Sequence, residues 1–224
     1  MSINVGVIGA GAMGTAVAQT VAPNANVLIY ARREEVCKDI NSTNVNSQYF
    51  PNVKLHENIK AVCNLNDLED VEILFLCIPS SAMRDMVDKL NKVVNEECIF
   101  VNTAKGIENK TNKTMTAVIE EITDRAPVAF SGPNIASEMV KSLSASTTIA
   151  CENEEYLDKV KKVLVTDSFK VNANTDVIGT EFCGIIKMLL QFLKGFLKEW
   201  ILITMQNSPY LLKVTMKQRI LLKN

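Results

Sequence analysis

Short apolar runs and helix-periodic segments alternate along the chain up to Phe130. Residues 4–8 and 26–30 are β-branched runs, 72–78 and 98–101 are apolar almost throughout, and 127–130 forms one more run. Between them, residues 12–22, 33–40 and 81–93 carry apolar positions at helical spacing. Strands that alternate with helices predict an α/β fold with a doubly wound, mostly parallel sheet. Runs that are apolar at every position, not at alternate ones, fit strands covered on both faces.

The same texture continues past Ser131-Gly132-Pro133. Residues 147–151 read as a strand. Residues 153–165 read as an amphipathic helix with Tyr156, Leu157, Val160, Val163 and Leu164 on one face. Residues 169–171 read as a further short strand. Thr175 is placed to cap a long helix that runs through Ile178, Phe182 and Ile185.

Composition narrows the chemistry. The 224 residues include 24 Lys and Arg against 25 Asp and Glu, a net charge of −1. That balance argues against a nucleic-acid binder that works by bulk positive charge. There is one histidine, His56, so two-histidine zinc sites and histidine-rich iron sites are excluded, and no metal is expected. The six cysteines include no C-x-x-C pair, and Cys77 and Cys98 lie in or beside apolar runs, where a thiol acts as a small hydrophobe. This usage fits a reducing, cytoplasmic compartment. The apolar N-terminus lacks a basic n-region and is broken by glycines, unlike a signal peptide. No apolar stretch reaches the ~18–20 residues needed to span a bilayer.

The sharpest local signal is Gly9-Ala10-Gly11-Ala12-Met13-Gly14, a G-x-G-x-x-G between a predicted strand and a predicted helix. In that setting Gly9 permits a tight turn, Gly11 lets backbone approach a pyrophosphate, and Gly14 lets the helix pack on the strand. The helix N-terminus then offers free N–H groups and partial positive charge to phosphates. The expectation is a Rossmann-type dinucleotide-binding domain over residues 1–178, followed by the start of a helical domain over 179–224. An acidic residue at the end of the second strand would select NAD; here Arg32 and Arg33 stand there instead. Two guanidinium groups suit a 2′-phosphate, so NADP is expected to be accepted and preferred over NAD.

Hydride transfer needs a partner group that exchanges a proton with the substrate oxygen. His56 sits in a polar stretch, 51–58, and reads as a solvated loop residue. A lysine with lowered pKa is the alternative. Lys105 lies just beyond a predicted strand's C-terminal end, where open α/β sheets bind ligands, and Lys187 closes the apolar run 182–186.

Six blocks together resemble the NAD(P)-dependent glycerol-3-phosphate dehydrogenases: GVIGAGAMGTAVA at 6–18, YARR at 30–33, CIPS at 77–80, NTAKGIE at 102–108, SGPNIASE at 131–138 and GTEFCGIIK at 179–187. The likeness covers residues 1–187. It implies reduction of dihydroxyacetone phosphate to sn-glycerol 3-phosphate, for phospholipid backbones, by a cytoplasmic enzyme that forms a homodimer when intact. By motif, Lys187 is the proton donor and Lys105 contacts both substrate and cofactor. Gly132 and Asn134 touch substrate, Ala136 lies on the nicotinamide side, and Ala12, Met13, Arg32 and Arg33 line the cofactor site. Two alternatives stand beside this: a cofactor-binding fragment without turnover, and a related reductase of another small carbonyl or imine.

After Lys187 the resemblance stops. The family continues with Asn-Val and a helical substrate domain, whereas this chain reads Met188-Leu189-Leu190-Gln191. Six of the 24 basic residues and only one of the 25 acidic ones fall in residues 188–224, leaving 18 basic and 24 acidic in 1–187. Lys-Met-Leu-Leu-Gln can be encoded AAR ATG TTR TTR CAR. Read one base earlier, the same bases permit Asn-Val-Ile-Ala, with the valine forced. Similar shifts at 199–201, 205–207 and 213–220 permit family-like segments. The expectation is that residues 188–224 are an out-of-frame reading. The competing expectation is an amphipathic membrane-surface helix or an oligomer interface over 188–205.

Overall fold

The computed structural model describes residues 3–207. Eight strands form one sheet: β1 (Ile3–Ile8), β2 (Ala25–Tyr30), β3 (Ile59–Val62), β4 (Ile73–Leu76), β5 (Ile99–Asn102), β6 (Val128–Ser131), β7 (Ala145–Ala150) and β8 (Phe169–Asn174). Their order is β3-β2-β1-β4-β5-β6-β7-β8. The pairs from β3 to β6 are parallel, β6 meets β7 antiparallel, and β8 pairs parallel to β7. The doubly wound, mostly parallel expectation holds. The direction of winding reverses between β1 and β4, which makes their C-terminal ends the place where such sheets bind ligands.

The apolar runs have the predicted cause. Ile73 and Phe75 face one hydrophobic cluster while Leu74 and Leu76 face the other, and Ile99, Phe100 and Val101 alternate in the same way. Phe75 meets Phe130 edge to face, with ring centroids 6.2 Å apart.

The helices are α1 (Ala12–Val21), α2 (Glu34–Thr43), α3 (Met83–Leu90), α4 (Met115–Thr123), α5 (Ala136–Met139), α6 (Glu154–Leu164) and α7 (Val177–Asn207). The helix expected over 81–93 opens with a 3₁₀ turn, Ser80–Ala82, and its α-helical part stops at Leu90. Strand β3 and helices α4 and α5 are additions to the sequence reading. The cap of α7 also differs from expectation. Asp176, not Thr175, accepts the Gly179 N–H on Oδ1 at 2.8 Å, while the Asp176 carbonyl accepts from Thr180 N–H. An aspartate carboxylate one residue on competes better for the helix N–H groups than the threonine hydroxyl.

The chain divides into two compact units, the first ending at Gly184 and the second starting at Ile185. The first holds the whole sheet. Within the second, α7 continues to Asn207, and Met188, Leu189, Leu190, Phe192, Leu193, Phe196 and Leu197 are all exposed, Phe192 by 73%. The expectation for residues 213–220 lies outside the described residues. Among the described residues, no helix is long and apolar enough to cross a membrane. The sequence reading treats all six cysteines as thiols, but Cys37 and Cys63 form a disulfide that ties α2 to the end of β3.

Candidate active site

The site is built on the C-terminal edge of the first unit's sheet. Chain leaving β1 turns at Gly9, whose φ of +104° strains any other residue. A Cβ at Gly9 would lie 2.6 Å from the Cys77 carbonyl oxygen, and one at Gly14 only 1.7 Å from the Gly9 carbonyl oxygen. Helix α1 therefore starts in direct backbone contact with the turn. At Gly11, the N-cap, a Cβ would meet nothing within 4 Å. Gly9 and Gly14 are thus required by the fold, whereas the bare surface at Gly11 faces open space in front of a helix N-terminus. Among the described residues no side chain caps α1, so the N–H groups at Ala12 and Met13 have no side-chain acceptor there. This cradle fits a diphosphate.

Asn46, wholly buried, secures the turn from the loop after α2. Its Nδ2 donates to the Ala10 carbonyl at 3.0 Å and to Thr15 Oγ1 at 2.8 Å. Sequence reading missed Asn46 because its partners lie 36 and 31 residues away.

A groove of about 530 Å³ runs from the glycine turn across the ends of β2 and β4. Its walls include Arg32 and Arg33 at the end of β2, Tyr49, and Pro79, Ala82 and Met86 beyond β4. The volume suits a small-molecule or cofactor site. The structure brings Gly9, Gly11, Arg32 and Arg33 to one groove. Tyr49, Ala82 and Met86 are additions that no motif announces. Both arginines are exposed; Arg33 Nη2 donates to Gln48 Oε1. Cys77 also lines the groove, and burial pushes its thiol up to about 12, so it is a neutral wall group and not a nucleophile.

Lys105, half-buried, lies on the loop after β5. That loop is gripped beyond the lysine by Glu108, which pairs with both Nε and Nη2 of Arg84 at 2.8 and 2.9 Å. Arg84 also reaches Glu121 at 3.0 Å, and Lys113 Nζ reaches Glu121 at 2.6 Å. The Arg84 guanidinium, helped by Thr111, holds the Glu108 carboxyl down at about 2; Arg84 and Lys113 hold Glu121 at about 2 as well.

Gly132, Asn134 and Ala136 follow β6 on the segment that leads into α5. Asn134 Nδ2 donates to Thr147 Oγ1 at 3.2 Å, while its Oδ1 is buried without a hydrogen-bond partner. An acceptor left unmet in this way is costly unless a ligand donor or water completes it. Lys187, half-buried, belongs to the second unit, three residues into it. His56 precedes β3, at the opposite edge of the sheet from the glycine turn, and its Nδ1 accepts from the Asn58 N–H at 3.2 Å. It has no part in the site. Among the described residues, no group of three His, Cys, Asp or Glu side chains could hold a metal.

Residues 4–157 match the family model of the NAD-dependent glycerol-3-phosphate dehydrogenase N-terminus. The chain belongs to this family. A glycerol-3-phosphate dehydrogenase [NAD(P)+] of Exiguobacterium is 38% identical over 198 residues, covering 86% of this chain and 58% of that relative. The Methanothermobacter thermautotrophicus protein of the same name is 37% identical over 194 residues, covering 85% and 60%. The crystal structure of glycerol-3-phosphate dehydrogenase from Coxiella burnetii superposes with a TM-score of 0.77 at 25% identity, covering 82% of this chain and 57% of that one. The chain thus spans under two thirds of the length of these relatives. The family match covers the glycine turn, the arginine pair, the Lys105 loop and the segment from Gly132 to Ala136.

Two outcomes test the geometry. Gly11→Val should fold with a melting temperature close to that of the parent, since no chain atom opposes it. It should still weaken NADPH binding at least about tenfold by filling the diphosphate cradle. Gly14→Ala should lose the folded state. The reverse pattern in thermal melts and cofactor titrations would contradict the division of roles. The second outcome concerns acid. Carboxyl groups held at about 2, below their unfolded value of ~4.3, stabilise the fold above that value and lose the contribution as pH falls from ~5 towards 2. Arg84→Met should therefore lower the melting temperature at pH 7 and have a much smaller effect near pH 2. A pH-independent difference would contradict the ion-pair account.

Proposed function

We propose that this chain supplies the cofactor half of a glycerol-3-phosphate dehydrogenase, which interconverts dihydroxyacetone phosphate and sn-glycerol 3-phosphate with NADPH or NADH. The observation that carries the proposal is the uncapped α1 N-terminus behind the bare surface of Gly11, at the switch point of a sheet whose residues 4–157 match that family. Bound nicotinamide would supply or accept the hydride. The Gly11, Ala12 and Met13 backbone holds the diphosphate, and Arg32 and Arg33 receive a 2′-phosphate, which favours NADP.

The remaining steps fall to side chains. Lys105 attracts the anionic substrate and steadies charge on its oxygen. Gly132 and the unmet Asn134 Oδ1 receive substrate, the latter from a hydroxyl donor, with Ala136 flanking the nicotinamide. Lys187 gives a proton to the carbonyl oxygen on reduction and takes it back on oxidation. The cytoplasmic setting rests on the family resemblance and not on cysteine usage, since Cys37 and Cys63 are bonded; the intact family member is a homodimer. The near-zero net charge supports small molecules, not nucleic acid, as ligands.

Residues 188–224 we read as out of frame. The exposed apolar side chains from Met188 to Leu197 support this, because a sequence selected for that position would cover or replace them. A second reading follows for the chain as it stands: a fragment that binds cofactor without turnover. Its support is that family-like sequence stops after Lys187 within the chain.

An assay of NADPH oxidation with dihydroxyacetone phosphate separates these readings. The 224-residue chain should bind NADPH and show no substrate-dependent oxidation. A version with the frame restored after Lys187 should turn over, and Lys187→Met in it should lower kcat ~10²–10⁴-fold with NADPH affinity unchanged. Failure of both chains to bind either nicotinamide cofactor would overturn the proposal. Turnover with another carbonyl or imine in place of dihydroxyacetone phosphate would reassign the substrate.

A further inference from the structure

Glu181 is a buried carboxylate with no part in the mechanism above. It is 7% exposed and sits in the second turn of α7, on the same helix as Lys187. Its Oε1 accepts from Asn102 Nδ2 at 3.0 Å and from the Thr116 N–H at 3.1 Å, and its Oε2 accepts a short bond from Thr116 Oγ1. Thr116 is the second residue of α4, so the carboxylate also lies at a helix N-terminus, where negative charge is favoured. Three donors and that dipole satisfy both oxygens of the buried carboxyl group.

The other partner, Asn102, is the last residue of β5 and is 1% exposed. Its carboxamide grips Ala104 at both backbone atoms. Nδ2 donates to the Ala104 carbonyl at 3.2 Å, and Oδ1 accepts from the Ala104 N–H at 2.9 Å. The next residue is Lys105. One turn beyond Glu181, Gly184 brings the α7 backbone against the same loop: a Cβ there would lie 3.6 Å from Lys105 Cγ and 2.7 Å from Ser131 Oγ.

We propose that Glu181 is a positioning residue, which fixes the Asn102 carboxamide from α7 and through it the turn that presents Lys105. Without the carboxylate, the Asn102 carboxamide keeps its two bonds to Ala104 but loses its tie to α7, so the pair opens more readily. The clamp on Ala104 then opens, and Lys105 loses its fixed backbone direction. Glu181→Met removes the acceptor while keeping the length of the side chain. Glu181→Gln does not, because its carbonyl oxygen can accept from Asn102 Nδ2 and the Thr116 N–H while its NH₂ donates to the Thr116 hydroxyl. The importance of this for catalysis rests on Lys105 contacting substrate and cofactor, as proposed above.

The test uses the full 224-residue chain, isotope-labelled, with NMR and amide hydrogen exchange. In Glu181→Met, the Asn102 side-chain amide resonance should lose its hydrogen-bonded position. Exchange at the Ala104 amide should rise about tenfold while Val7 and Phe75, at the centre of the sheet, keep their protection. Glu181→Asp keeps the charge for folding but withdraws the reach to Asn102, and it should loosen Ala104 in the same local way. Unchanged protection at Ala104 would overturn the proposal. So would a uniform rise at Ala104, Val7 and Phe75, because that pattern marks a contribution to global stability alone. Lys105→Met, titrated with NADPH, separates the two readings. If Ala104 loosens in the Glu181 variants while Lys105→Met binds NADPH like the parent, Glu181 keeps its positioning role and Lys105 loses its cofactor contact.

Discussion

The seating of Gly14 on the carbonyl of Gly9 decides where everything else in the site can stand. A Cβ at residue 14 would fall 1.7 Å from that oxygen, so α1 and the turn that precedes it are one backbone-on-backbone joint. The joint aims the α1 N-terminus across the gap between β1 and β4, where the strand order reverses. A dipole and uncapped N–H groups at that gap create a need for an anion that none of the described side chains meets. Asn46 holds the turn from behind, and the arginines at the end of β2 extend the positive surface along the groove.

The opposite wall follows a different principle. The chain after β5 carries Lys105 on a loop without regular structure, and such loops are mobile by default. Here the loop is pinned before and after the lysine. Asn102 and Glu181 hold the near side, and Arg84 and Glu108 the far side. A rigid backbone lets the lysine act as a directed charge, because the loop itself need not be ordered when an anion arrives.

What the sequence makes legible follows from how local each signal is. Strand β1, the glycine turn and α1 could be read because the pattern and the punctuating glycines sit within one short segment. The buried strands could be read because both faces are covered and no polar residue interrupts them. Strand β3 was missed because it is four residues long and includes exposed Lys60. Helix α4 was missed because its Thr and Ile content resembles a strand until Thr114 is seen to cap it. Asn46, Tyr49 and Met86 could not be found from motifs, since the groove assembles them from three separate segments. Glu181 lay inside a quoted block, GTEFCGIIK, and a glutamate surrounded by apolar residues in a helix was the available hint; its partners 79 and 65 residues away were not. The Cys37–Cys63 pair, 26 residues apart, had no spacing rule to reveal it.

A crystal structure of the 224-residue chain grown with NADPH tests the central claim most directly. The account predicts diphosphate density against the backbone of Gly11, Ala12 and Met13, with the 2′-phosphate between Arg32 and Arg33 and no displacement of the Gly9–Gly14 contact. Cofactor bound elsewhere on the sheet, or a diphosphate held by side chains with the α1 N-terminus still empty, would contradict it.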